Sequence, residues 1–238
     1  MTLRINCWSG PRNISTALMY SFRERADTTI VDEPLYAHYL RVTSREHPGA
    51  DEVRASQDND GDSVVRDLIL GPVTTPVLFC KQMAHHLIDL DRGFLGEVRN
   101  LLLTRHPEEM LRSLAIQLPD AGLVDTGLEN LVGVLESVLA AGEEPVVIDS
   151  RALLADPAAV LAEVCGRLGL EFDPAMLSWP AGPKPEDGVW ARHWYRNVHR
   201  STGFEAHRPS SHPWPDRLDA VLEAAVPLYE RLASYAVV

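Results

Sequence analysis

Apolar positions along the chain fall into short continuous runs, separated by longer stretches with helical spacing. Five runs predict strands, at Leu3–Trp8, Thr28–Val31, Val77–Cys80, Val98–Leu103 and Val146–Ile148. Continuous apolar runs are typical of parallel strands that are buried on both faces of a sheet. The pattern therefore predicts an α/β protein in three layers, with a central, mainly parallel five-stranded sheet between helices.

Helical spacing predicts five helices, at residues 14–22, from 107 onward, 128–139, 157–168 and 216–235. Pro107 and Pro157 suit the first position of a helix, because proline lacks the N–H that is unsatisfied there. Gly142 and Gly169 suit helix ends, where a left-handed residue is common. Pro227 lies inside the last predicted helix, so a kink or break is expected at that point.

Two stretches lack a clear period. Residues 47–62 are polar and acidic, which predicts a loop. Residues 179–214 are rich in Pro, His, Arg and Trp, and a loop of that length in a compact domain is usually functional. No repeat or linker divides the chain, which predicts a single domain over residues 1–238.

Composition narrows the class of protein. The 238 residues are 45% hydrophobic and 24% charged, which excludes a disordered or low-complexity chain. The net charge of −12 argues against broad binding to nucleic acids or anionic membranes, although a local basic pocket can still hold an anion. The three cysteines lie far apart and are expected to be reduced core thiols of a cytoplasmic protein. A strand is predicted from Leu3 and no apolar run approaches about 18 residues, so neither a targeting nor a membrane-spanning segment is expected.

The first candidate site is the turn between the first strand and the first helix, where residues 8–16 read WSGPRNIST. Backbone N–H groups at a helix N-terminus favour anions, and Arg12, Ser15 and Thr16 would add a guanidinium and two hydroxyls. The turn lacks the Lys and the second Gly of the nucleoside-triphosphate loop. An ordinary Gly-Pro turn with a Ser/Thr cap remains the alternative.

The second candidate is Arg105, at the end of the fourth predicted strand, with Ser113 eight residues later. Ligands of open parallel sheets bind beyond the carboxyl ends of the strands. Arginine can bind a phosphate through two parallel hydrogen bonds. A surface arginine in a salt bridge is the alternative.

Together these motifs resemble the sulfotransferase superfamily, whose members use 3′-phosphoadenosine-5′-phosphosulfate (PAPS) and have a P-loop-like fold. The stretch from Val146 to Leu170 also resembles this family. The WSGPRNIST loop resembles that of a bacterial subgroup of sulfotransferase-like proteins. It implies that the 5′-phosphosulfate is held by the loop residues Arg12, Asn13, Ser15 and Thr16. It also implies that Arg105 and Ser113 hold the 3′-phosphate, and that PAPS is a co-substrate with no metal required.

Ile14 departs from this pattern, because the family has glycine at that place in the loop. Glycine adopts a positive φ without strain, whereas a β-branched residue rarely does. We therefore expect Ile14 to begin the helix with a negative φ.

Catalytic residues are implied by the same resemblance. Glu33 follows the second predicted strand, where some sulfotransferases carry a glutamate base, and Asp32 is the competing candidate. A general base of this kind contributes about 10²–10⁴-fold to the rate. A carboxylate that stabilises a helix start is the alternative for Glu33. Lys81 ends the third strand, where related families place a lysine near the transferring group.

Several later residues are weaker candidates. His85 and His86 follow Lys81, but Met83 stands where many members of the family have a histidine base. Lys184 belongs to a segment, Gly182–Trp190, that resembles the part of the family that closes over the donor, and it is predicted to reach the 3′-phosphate. A metal-binding site is a further hypothesis for the late cluster of residues His193, Trp194, His199, His207 and His212. Their spacing matches no known metal motif, so no metal site is predicted.

The resemblance thus implies a sulfotransferase that moves a sulfuryl group from PAPS to a hydroxyl or amine of a small acceptor. A nucleotide-dependent kinase or other phosphotransferase on the same fold is one alternative, and it would need Mg²⁺ and an ATP-binding loop. A non-catalytic nucleotide-binding protein is another, made plausible by Ile14. No motif specifies the acceptor or the oligomeric state.

Overall fold

The computed structural model describes residues 2–116, 118–206 and 214–237. It contains one five-stranded sheet, formed by β1 (Leu3–Ser9), β2 (Thr28–Asp32), β3 (Val77–Met83), β4 (Arg99–Thr104) and β5 (Val146–Asp149). The strand order is β2-β3-β1-β4-β5, and each neighbouring pair is parallel. The predicted fold class is confirmed, and each of the five predicted strands is present.

Ten helices accompany the strands in the described residues: α1 (Ser15–Arg23), α2 (Tyr36–Thr43), α3 (Ala50–Ser56), α4 (Gly61–Val64), α5 (Pro107–Leu114), α6 (Leu128–Ala140), α7 (Ser150–Ala155), α8 (Pro157–Leu168), α9 (Ala191–Trp194) and α10 (Asp219–Ala233). A π-type turn over Val65–Ile69 continues α4, and shorter 3₁₀ turns join other elements. Gly169 ends α8 with a φ of 80°, as its position in the sequence predicts.

The core lies on both faces of the sheet. Successive side chains of a strand point to opposite faces. Ile5 and Cys7 of β1 therefore belong to the core beneath α1 and α8, whereas Trp8 belongs to the core beneath α6 and α10. This arrangement produces the predicted three layers, and it explains why the strands read as continuous apolar runs.

One prediction about an irregular stretch is wrong. Residues 47–62 contain α3 and α4, although they were expected to be a loop. Only Ala50, Val53, Gly61 and Val64 are buried in these two helices, so the sequence shows a mostly polar surface and no apolar stripe. In α10, the helix is not broken at Pro227, and a kink at that point stays a prediction.

The strand order changes side at β1, since β2 and β3 lie on one side of it and β4 and β5 lie on the other. The connections from the ends of these strands diverge there and leave a crevice beyond the carboxyl edge of the sheet. Ser9, Asp32, Met83 and Thr104 mark that edge. The fold therefore gathers the candidate residues of four strands at one place.

Other sequence expectations concern the thiols and the membrane. Cys7, Cys80 and Cys165 are buried and form no disulfide. Burial raises the pKa of both the Cys7 and the Cys80 thiol to about 12. No helix within the described ranges combines the length and apolar character needed to cross a bilayer.

Candidate functional site

The β1–α1 loop, residues 10–14, has a strained backbone. Arg12 and Ile14 both adopt left-handed conformations, with φ of 62° and 60°. The prediction that Ile14 begins the helix with a negative φ is therefore wrong, and α1 begins one residue later, at Ser15. A left-handed conformation costs a non-glycine residue about 1–2 kcal/mol, so contacts from elsewhere must hold the loop in place.

Those contacts centre on Asn13 and Gly10. The Asn13 amide donates to the Leu103 carbonyl at 3.2 Å, and the Asn13 carbonyl accepts from the Ser150 hydroxyl at 3.2 Å. Gly10 lies so close to the backbone of Thr126 that a β-carbon would stand 2.4 Å from its carbonyl oxygen. The position in this loop that requires glycine is therefore Gly10, where two backbone segments meet.

This backbone suits an anion. Left-handed residues that alternate with others turn successive N–H groups toward one concave side, and such concavities bind anions. Ile14 occupies the N-cap position of α1, and its side chain has no acceptor for the N–H groups of the first helical turn. The loop residues from Pro11 to Ile14, together with Ser15 and Thr16, line one large cavity.

Two arginines line the cavity, Arg12 within the loop and Arg105 just after β4, and we call them the arginine pair. Arg12 Nε donates to the Ser113 hydroxyl at 2.8 Å, and Arg105 donates to the Arg12 carbonyl at 2.9 Å. Burial lowers the pKa of Arg12, and the positive charge of Arg105 lowers it further. An anion between the two guanidinium groups would therefore relieve their repulsion.

Arg105 also contacts a carboxylate. Glu109, one turn into α5, accepts from Arg105 Nε at 3.3 Å and from Arg151 at 2.5 Å. A phosphate bound by Arg105 would thus compete with this carboxylate, which Arg151 can retain.

A second group of charges lies at the ends of β2 and β3, and we call Asp32, Glu33, Lys81 and Tyr195 the buried ion cluster. Lys81 Nζ donates to Asp32 Oδ1 at 3.1 Å, to the Tyr195 hydroxyl at 2.7 Å, and to Glu33 Oε1. The Tyr195 hydroxyl donates to Asp32 Oδ2 at 2.7 Å. All three N–H groups of the lysine are therefore used inside the cluster.

Burial shapes the protonation of this cluster. It raises the pKa of Glu33, an effect that the negative charge of Asp32 adds to and Lys81 opposes. Burial alone would lower the pKa of Lys81, yet the two carboxylates raise it above its ordinary value. Glu33 also has a left-handed backbone, with φ of 41°. Strained, buried carboxylates with a raised pKa are typical of functional sites.

His85 and His86 lie beside the cluster, among aromatic side chains. His86 stacks on Tyr36 with ring centroids 4.9 Å apart, and His85 meets Tyr39 edge-on at 5.0 Å. Burial lowers the pKa of His85 to about 4 and that of His86 well below its ordinary value. Both rings are therefore neutral near pH 7.

One cavity, of about 1300 Å³, brings most of the predicted residues together. Its wall includes the predicted site residues Arg12, Asn13, Ser15, Thr16, Glu33, Lys81, Arg105 and Ser113. Tyr195 and Trp190 also line it, and the sequence reasoning missed the first of these. Tyr195 lies 114 positions from Lys81, in the stretch without a period, so no local pattern marks it.

Lys184 lies apart from these residues. Its ammonium donates to the Pro180 carbonyl at 2.5 Å and stands 5.3 Å from the centre of the Tyr20 ring, and it does not line the cavity. The geometry therefore does not bring Lys184 to the predicted 3′-phosphate site.

The late histidines have separate environments. His199 Nε2 lies 2.9 Å from Asp187 Oδ2, and His193 Nε2 accepts from Arg192 at 3.1 Å. His207 and His212 fall outside the described residues. Within residues 2–116, 118–206 and 214–237, no three His, Cys, Asp or Glu side chains are grouped to hold a metal ion.

Comparison with known proteins connects the chain to a family. Residues 3–236 match the sequence profile of a family described as "Sulfotransferase domain". A crystal structure titled as a sulfotransferase from Alicyclobacillus acidocaldarius is similar in fold, with a TM-score of 0.56 at 14% identity, covering 98% of this chain and 95% of that one. A sulfotransferase domain from the curacin biosynthetic pathway gives a TM-score of 0.50 at 13% identity, covering 94% of this chain and 97% of that one.

Among curated proteins, the chain is 39% identical over 232 residues to the Arabidopsis thaliana protein named branched-chain-amino-acid aminotransferase-like protein 1. The match covers 97% of this chain but 42% of the plant protein. The chain thus spans about two fifths of the length of this relative.

Proposed function

The chain belongs to the sulfotransferase family, and from that premise we propose that it transfers a sulfuryl group from PAPS to a small acceptor. The observation that carries the proposal is the cavity itself. It combines a cationic half, suited to a nucleotide with two phosphate groups, and a buried carboxylate with a raised pKa, suited to proton removal.

The donor would bind at the arginine pair and the β1–α1 loop. The loop N–H groups, Arg12, Ser15 and Thr16 would hold the 5′-phosphosulfate. Arg105 and Ser113 would hold the 3′-phosphate. The hydrogen bond between Arg12 and Ser113, at 2.8 Å, supports this assignment, because it joins the residues proposed for the two ends of PAPS. When bound, PAPS supplies the sulfuryl group, and the cationic side chains neutralise its charge without a metal.

Glu33 would be the general base, and the contacts of Asp32 favour this choice. Both Asp32 oxygens accept hydrogen bonds inside the protein, one from Lys81 at 3.1 Å and one from Tyr195 at 2.7 Å. Glu33 lines the cavity, where an acceptor hydroxyl or amine would lie. Its raised pKa brings its proton affinity closer to that of a group working near neutral pH.

Lys81 would respond to that proton transfer. While Glu33 is ionised, Lys81 donates to it and to two further partners. Once Glu33 takes the proton, its attraction for the ammonium falls and one N–H becomes available. Lys81 would then stabilise the negative charge on the departing phosphate oxygen.

Calorimetric titration tests the proposal, with the nucleotide product 3′-phosphoadenosine 5′-phosphate (PAP), with PAPS and with ATP plus Mg²⁺. We expect PAP and PAPS to bind and ATP–Mg²⁺ to bind much more weakly. Preference for ATP–Mg²⁺ would instead favour a phosphotransferase. Binding of PAPS without transfer to any hydroxyl or amine in an acceptor screen, and without slow PAPS hydrolysis, would favour a non-catalytic protein.

A further inference from the structure

The stretch 179–206 has no periodic pattern, yet it closes one wall of the cavity through Tyr195 and Trp190. The Trp190 indole donates to the Tyr195 hydroxyl at 3.1 Å, and both side chains are buried. This hydroxyl thus has three hydrogen bonds, since it accepts from Trp190 and Lys81 and donates to Asp32. A phenol with its full set of partners is held in a single orientation.

The sequence Gly188-x-Trp190 builds this arrangement. A β-carbon on Gly188 would stand 2.2 Å from the Trp190 ring, so only glycine lets the indole lie against that backbone. The Gly188 N–H also points at Asp32 Oδ2, at 3.3 Å. Asp32 Oδ2 therefore has two donors that depend on this segment. One is the Gly188 N–H, and the other is the Tyr195 hydroxyl, which Trp190 orients.

The two carboxylates differ in their hydrogen-bond partners and in their exposure to the cavity. Asp32 Oδ2 accepts from Tyr195 and Gly188, while Oδ1 accepts from Lys81. Asp32 does not line the cavity, whereas Glu33 does. Tyr195 thus satisfies the inner carboxylate and leaves the outer one facing the space where an acceptor would bind.

We propose that Tyr195 is a positioning residue of the transfer reaction, whose hydroxyl fixes Lys81 against Asp32 and so assigns proton removal to Glu33. The reaction itself rests on the function proposed above. In chemical terms, Glu33 takes the acceptor's proton as the acceptor oxygen or nitrogen bonds to sulfur, and the bond from sulfur to the phosphate oxygen breaks. Tyr195 keeps its own proton throughout, in its hydrogen bond to Asp32.

The groups that face Glu33 set the expected direction of a test. They are Asp32 from β2, Lys81 from β3, Tyr36 from α2 and Tyr195, with His86 close to Lys81. Loss of the Tyr195 hydroxyl removes a donor from the ionised carboxylates. The Asp32–Glu33 pair should then bind its first proton at a higher pH.

The chain offers a direct readout, because Lys81 and Lys184 are its only lysines. Protein labelled with ¹⁵N-lysine should give two Nζ resonances. That of Lys81 should shift with pH as the carboxylate pair is protonated, while that of Lys184 serves as an internal reference. In Tyr195→Phe we expect the midpoint to rise by about one pH unit, a tenfold change in proton affinity.

Tyr235→Phe is the matched control. It removes a hydroxyl that accepts from Arg231 at 2.9 Å, at the end of α10 and away from the cavity, so the midpoint should not move. Trp190→Phe, which keeps the Tyr195 hydroxyl but removes one of its donors, should give a smaller rise. An unchanged midpoint in Tyr195→Phe overturns the proposal.

Kinetics separates this role from general damage to the structure. In Tyr195→Phe, the acidic limb of the pH–rate profile should shift to higher pH. The rate should recover toward that of the wild type as the pH is raised. An equal loss at every pH would mean a merely structural role and would refute the assignment. If the wild-type protein shows the Lys81 midpoint but neither sulfuryl transfer nor PAPS hydrolysis, the proposed reaction fails while the hydrogen-bond network stands.

Discussion

At the ends of β2 and β3, the lysine of the buried ion cluster meets two carboxylates and a phenol, whereas at the ends of β1 and β4 two arginines meet each other. The first group is almost fully enclosed, and its one ammonium is shared by two carboxylates. The second has an excess of positive charge, opposed by Glu109 at its rim. Both open on the same cavity.

We therefore expect the two groups to have different roles in the proposed reaction. In an enclosed cluster of paired charges, each member affects the protonation of the others. An unbalanced cationic surface attracts an anion but cannot by itself remove a proton. Substitutions in the two halves should therefore have separable effects on turnover, stability and nucleotide affinity.

The largest effect is expected from Glu33→Gln, which keeps the shape of the side chain but cannot accept a proton. Turnover should fall by about 10²–10⁴-fold, while PAP affinity stays nearly unchanged. Steady-state rates and PAP titration measure the two quantities. His85→Asn and His86→Asn should each cost much less. A near-normal rate in Glu33→Gln alongside an inactive His85→Asn would move the base to the histidines.

Lys81→Met tests the ion pairing inside the cluster. It leaves Asp32 and Glu33 buried together without their cation, and breaking a buried pair in this way costs about 3–5 kcal/mol. Denaturant unfolding measures the loss. Arg105→Ala, a cation removed from the other half, should change the free energy of unfolding far less. Equal losses in the two variants would erase the distinction between the halves.

Arg105→Ala should act on nucleotide binding instead. PAP affinity should weaken by about 1.5–3 kcal/mol, the range for hydrogen bonds to charged groups. Adenosine 5′-phosphosulfate, which lacks the 3′-phosphate, should bind nearly as well as it does to the wild type. Titration with both ligands makes the comparison, and equal weakening would show that Arg105 does not contact the 3′-phosphate.

The smallest effect concerns the strain in the β1–α1 loop. Ile14→Gly and Ile14→Ala both remove the side chain, but only glycine adopts a φ near 60° freely. We expect the glycine variant to be more stable than the alanine variant by about 1 kcal/mol, the reverse of their order inside a helix. Thermal or denaturant unfolding gives the difference, and a more stable alanine variant would mean that the loop relaxes to a negative φ.

Local signals in the sequence were sufficient for the scaffold. Each strand is an apolar run whose burial on both faces is written in its own residues, and Pro107 and Gly169 mark helix ends by backbone chemistry alone. Parallel strands share one carboxyl edge, so residues that follow separate strands, such as Arg12, Glu33, Lys81 and Arg105, were expected to converge. They line the same cavity.

Tertiary contacts decided what those signals left open. Ile14 takes a left-handed backbone because Leu103 and Ser150, far along the chain, anchor its neighbour Asn13. Helices α3 and α4 form although their sequence is mostly polar, because tertiary packing buries Ala50, Val53, Gly61 and Val64. Lys184 is drawn to Tyr20 and Pro180 rather than to the arginine pair.

The sequence by itself determined a parallel α/β sheet and the set of charged residues at its carboxyl edge, because both follow from periodicity and from the order of strands and turns. Only the tertiary structure decided which carboxylate faces the cavity and which is satisfied within. Asp32 accepts there from Tyr195, which also contacts Lys81 across 114 positions of the chain. Hydrogen bonds between such distant residues are fixed by the packing of the whole fold, and no local propensity encodes them.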